Sequence, residues 1–148
     1  MSELQSMMSS CLDALRDINS SDVKLYCSLC RALGTYSLCK EKYSDAIEVC
    51  KRGIEFASNN ASQTRHLVKV LAHARLKSGV KPTSIVADVV GWEQSIIACA
   101  AILNSDEDTI KLDARRSLLE HCVQISETAF QDTEHEFFHA YLWTLVAE

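Results

Sequence analysis

Glycine and proline are nearly missing from this 148-residue chain, which holds four of the first and one of the second. Both residues serve where a backbone turns tightly, so a many-stranded sheet has too few of them here. The same scarcity excludes a collagen-like or linker-rich chain. Long apolar runs are also lacking: the stretch from Val68 to Ala74 is broken by Lys69 and His73, far short of the ~20 residues that span a bilayer. The first residues, Met1-Ser2-Glu3-Leu4-Gln5, carry no basic segment followed by an apolar core, so no secretory leader is expected. What is present is 47% hydrophobic and 24% charged residues, enough to bury one core. The expectation is an all-α fold in a single domain over 1–148.

Seven cysteines (Cys11, Cys27, Cys30, Cys39, Cys50, Cys99 and Cys122) are an odd number, and most fall on apolar helical stripes. Buried free thiols in a reducing compartment explain them better than a disulfide framework. The expected setting is the cytoplasm, with a ciliary or nuclear assembly left open. The net charge of −5 hides an asymmetry: twelve Lys and Arg face eight Asp and Glu up to Lys81 (+4), whereas three face twelve from Pro82 onward (−9). An acidic chain of this kind is not a general nucleic-acid binder, but its basic half can attract an acidic partner.

Hydrophobic periodicity predicts seven amphipathic helices, at about 3–18, 23–40, 42–57, 62–78, 83–103, 107–128 and 133–148. The third is the clearest: Tyr43, Ala46, Ile47, Cys50, Ile54 and Ala57 line one face, and Asp45, Glu48, Lys51, Arg52 and Glu55 the other. Gly79-Val80-Lys81-Pro82 is the strongest punctuation, combining a helix-ending glycine with a helix-opening proline, and it coincides with the charge seam. Gly91 either packs closely inside the fifth helix or breaks it in two. Short connections imply that successive helices are antiparallel neighbours.

Between Cys27 and Asn60 the sequence carries a repeat signature of 34 residues. Cys30-x2-Leu33-Gly34 is followed, twelve residues after the glycine, by Ala46 and Ile47, and the unit closes on Gly53-Ile54-Glu55-Phe56-Ala57-Ser58-Asn59-Asn60. This segment resembles a degenerate tetratricopeptide repeat. Cys30 stands where that family usually has Trp, Ser37 where it has Tyr, Cys50 where it has Phe, Gly53 where it has Ala and Ser58 where it has Pro. The resemblance covers about a quarter of the chain. It implies an antiparallel helix-pair stack, an α-solenoid of about seven helices that is either complete here or a segment of a longer one.

In such arrays the first helix of each pair lines a concave groove that holds a peptide. The resemblance carries the groove register onto Arg31 and Thr35 in the second expected helix, and onto Arg65, Lys69 and His73 in the fourth. The last three also recur every four residues, so they share a helix face on spacing alone. Arg binds a carboxylate bidentately and Lys adds a point charge, which makes an acceptor for an acidic peptide or partner helix. The asparagines of the family's carboxylate clamp are absent.

His135-Glu136-Phe137-Phe138-His139 matches H-E-x-x-H, in which two histidines one turn apart ligate zinc and the glutamate activates water. A catalytic zinc needs a third protein ligand, yet after His139 no His or Cys follows and the only Glu is Glu148. The preferred reading packs Phe138, Tyr141, Leu142 and Leu145 inward and leaves His135 and Glu136 to solvent. Cys27-x2-Cys30 has no second pair at metal-site spacing and reads as two buried fillers. No cofactor, metal or catalytic residue is assigned. The sequence therefore points to a non-enzymatic protein-interaction scaffold, with an apolar C-terminal helix suited to docking or continuation. A zinc-dependent hydrolase and an unrelated helical-bundle subunit of a larger complex are the alternatives.

Overall fold

The computed structural model describes residues 6, 7, 10, 13, 23–58, 60–89, 91–105 and 112–130. Six helices follow one another: α1 (Val23–Cys39), α2 (Tyr43–Phe56), α3 (Ala61–Lys77), α4 (Pro82–Ala87), α5 (Gly91–Leu103) and α6 (Leu112–Phe130). Ser6, Met7, Ser10 and Asp13 are helical too, and no strand occurs among the described residues. No helix among them is long and apolar enough to cross a membrane. The expected helix at 133–148 lies outside the described residues.

Three of the expected helices keep their bounds to within a residue, as α1 to α3 show. The fifth does not: the single helix expected at 83–103 is two helices, α4 and α5. Gly91 takes φ +80°, a left-handed value that interrupts regular helical backbone. Pro82 opens α4 at its first turn, where a missing N–H costs nothing, and Asp88 closes it.

The helix ends explain the tight turns. Gly79 (φ +93°) ends α3, with Val80 N–H donating to Arg75 O at 3.0 Å and Gly79 N–H to Leu76 O at 3.1 Å. The end of α1 repeats this pattern with Glu41 (φ +60°) in the glycine position, as Lys42 N–H donates to Ser37 O at 2.8 Å. Ser58 (φ +53°) turns the chain after α2. Asn60 then caps α3, its side chain accepting from Gln63 N–H at 3.1 Å while Thr64 Oγ1 donates to its carbonyl at 2.7 Å.

Packing is sequential. Helix α1 packs on α2 and α3, α2 on α3, α3 on α5, and α5 on α6, with the short α4 wedged among α3, α5 and α6. One apolar core runs through all six, from Tyr26, Cys30 and Leu33 through Leu67 and Val68 to Ile85, Ile97, Ile102 and Leu118. Tyr26 stacks on Phe56 with ring centroids 4.1 Å apart. Arg75, 9% exposed, reaches from α3 to Asp88 at 3.5 Å and ties the end of α4 to the core.

Candidate functional site

The face formed by α1 and α3 depends on how closely three helices approach, and two glycines set that approach. A methyl group at Gly53 would lie 2.5 Å from Leu67 Cδ1 and 3.0 Å from Cys30 Cβ, so α2 touches both α1 and α3 there. At Gly34 it would lie 2.9 Å from Cys50 Sγ and 3.4 Å from both Val49 Cγ1 and Val70 Cγ1. Each glycine sacrifices about 1 kcal/mol of helix propensity relative to alanine. Both return it as close packing, because no side chain separates the helices.

Two of the five expected site residues, Arg31 and Thr35, are exposed one turn apart on α1. The other three stand half-buried on α3, which packs against α1. They do not present a uniform cationic row. Arg65 Nε and Lys69 Nζ are shielded from solvent, and both residues already take part in interactions within the protein. His73 is turned toward α5, where its Nε2 lies 3.2 Å from Ala101 O. A carbonyl only accepts, so this contact places a proton on Nε2. The five positions thus divide into an exposed pair on α1, a shielded pair of cations on α3 and an imidazole that bridges two helices.

Cys27 and Cys30 occupy the buried side of α1, as expected of fillers. The Cys27 thiol faces Gly53 O at 3.7 Å. Burial pushes the Cys30 and Cys50 thiols up to about 12, with each further raised by a neighbouring cysteine. These groups stay protonated at neutral pH and are poor nucleophiles or metal ligands. All six described cysteines are free. No group of three or more His, Cys, Asp or Glu among the described residues is placed to hold a metal ion. The H-E-x-x-H segment at 135–139 lies outside the described residues.

Three features of the second half escaped the sequence reading. A half-open cleft of about 160 Å³ separates α4 from α6, lined by Thr83, Val86, Ser117, Glu120, His121 and Gln124. Leu119 and Val123, one turn apart on α6, are 54% and 55% exposed. Interaction with Cys122 on α6, together with burial, pushes the Cys99 thiol on α5 up. Leu119 and Val123 were detectable in the sequence as an apolar pair four residues apart. The cleft and the thiol interaction join residues distant in the chain and leave no local signal. No protein-family model matches this chain, and no curated protein or solved structure matches it significantly.

Proposed function

We propose that the chain is a non-enzymatic protein-interaction module of tetratricopeptide type, which uses the α1 and α3 face to hold an acidic peptide or the acidic face of a partner helix. The observation that carries this reading is the three-way contact of α1, α2 and α3 through Gly34 and Gly53, the positions at which the repeat signature places small residues. A rigid, closely packed helix pair binds by presentation, since little ordering is needed when the ligand arrives. The exposed Arg31 and Thr35 make first contact with the ligand, and the shielded Arg65 and Lys69 contribute a positive field from beneath. His73 belongs to the support of the groove through its contact with α5. Free thiols throughout the described residues support a reducing, cytoplasmic setting.

The test is fluorescence anisotropy with a labelled Glu-rich peptide at low and moderate salt. Arg31→Glu leaves the helical circular-dichroism signal intact and weakens binding at least tenfold, about 1.4 kcal/mol, with most of the salt dependence lost. Binding that is equally tight for wild type and Arg31→Glu sinks the groove reading.

A second reading, a helical subunit docked within a larger complex, is favoured by the exposed Leu119 and Val123 on α6. Size-exclusion chromatography of a Leu119→Lys, Val123→Glu variant separates the two. This change leaves peptide binding untouched and abolishes only co-elution with other proteins.

A further inference from the structure

Helices α1 and α6 stand at opposite ends of the packing order, with α3 and α5 between them, and their exposed sides are complementary. On α1 the exposed Lys24, Leu25, Ser28, Arg31, Ala32 and Thr35 form one stripe about a third of a turn wide. Lys24 and Arg31 make one edge of it, Leu25, 44% exposed, and Ala32 make the other, and the two hydroxyls lie between. The exposed side of α6 has the same two edges with the charge reversed. Asp113 and Glu120 follow one line, and the apolar Leu119 and Val123 lie about a quarter turn away. In both helices the paired charges are seven residues apart, which is about 10.5 Å along the axis. None of the four charged side chains forms an ion pair with another described residue.

We propose that the acidic face held by the α1 groove is helix α6 of a second copy of this chain, docked parallel to α1. The proposal rests on the groove reading above and names its partner. Lys24 and Arg31 meet Asp113 and Glu120 of the second copy, while Leu25 and Ala32 cover its Leu119 and Val123. Chain direction follows from the order of the edges. On α1 each cation is followed by an apolar residue (Lys24-Leu25, Arg31-Ala32), whereas on α6 the apolar residue comes first (Leu119-Glu120). Opposite orders of this kind match edge to edge only when the two helices run the same way; an antiparallel pair sets the cations on Leu119 and Val123. Arg116, the one exposed cation in the middle of this α6 face, then lies over the small Ser28 and Thr35. Glu120 also lines the cleft between α4 and α6, so a long guanidinium paired with it has room to enter.

The charge of the whole chain acts in the same sense. The half up to Lys81 carries +4 and the half from Pro82 carries −9, which steers the first half of one copy toward the second half of another. The contact is heterologous, so each copy keeps one free face of either kind and association continues from copy to copy. With only two turns of helix on each side the interface is small, which makes the association weak and reversible.

Sedimentation velocity of the full-length chain over a range of concentrations tests this. At low salt the wild-type sedimentation coefficient rises with concentration, and high salt returns it to the monomer value. Lys24→Glu with Arg31→Glu, and separately Asp113→Lys with Glu120→Lys, each weaken association by about tenfold or more while the helical circular-dichroism signal is unchanged. An equimolar mixture of the two variants associates again, because native faces still pair and the reversed faces complement each other. A wild type that stays monomeric at every concentration overturns the proposal, as does either variant associating as strongly alone as the wild type. Anisotropy with the labelled Glu-rich peptide separates the two readings. If the wild type stays monomeric yet Arg31→Glu still weakens peptide binding, the groove stands and a second copy is not its occupant. If the peptide binds wild type and Arg31→Glu alike, the groove reading falls and this proposal falls with it.

Discussion

The two halves of this molecule solve the same packing problem in opposite ways. From α1 to α3 the helices are drawn together by what is absent: Gly34 and Gly53 bring backbones close, and small sulfur groups fill the gaps. From α4 to α6 no glycine makes a close contact, and large side chains, Ile85, Ile97, Ile102 and Leu118, are wholly buried in the core. The first half is a regular three-helix contact. The second contains a one-and-a-half-turn helix, a cleft and exposed apolar residues. Close backbone approach demands a repeated geometry, whereas packing on bulky side chains tolerates an interruption such as Gly91.

Hollowing the second half has the largest expected effect. Leu118→Ala removes a wholly buried side chain that α5 and α4 have little freedom to replace, and costs about 3 kcal/mol in urea denaturation. Overfilling the first half comes next. Gly53→Ala gains helix propensity but sets a methyl group against Cys30 Cβ, which cannot rotate away, for a net loss of about 2 kcal/mol. If Gly53→Ala proves neutral, the close approach of α2 to α1 and α3 is not what holds the first half together. The smallest effect is a gain. Glu41→Gly relieves a left-handed residue at the end of α1 and, after the added entropy of the unfolded chain, stabilises by about 0.5 kcal/mol in the same assay.

Much of the helical layout was legible because amphipathic stripes and end signals are local. The α2 stripe of Ala46, Cys50 and Ile54 is buried as its periodicity implies. Gly34 and Gly53 were legible too, since a glycine inside a helical pattern asks for a packing reason. The division of residues 82–103 was not settled by the sequence, because an interior Gly91 fits both a close contact and a break. The candidate site was least legible at His73. Steps of four residues drift by about 40° each around a 3.6-residue helix, so Arg65, Lys69 and His73 fan out until the last faces α5. The cleft depends on how α4 lies against α6, which no spacing rule encodes.

The high protonation threshold of Cys30 and Cys50 makes the first half a clock for its own opening. An alkylating reagent meets Cys39 at once but reaches Cys30 and Cys50 only during the moments when α1 parts from α2. Their labelling times, followed by mass, therefore count excursions of that helix pair away from the native state. A ligand lying across α1 and α3 would slow the count, and no dye or mutation is needed to hear it.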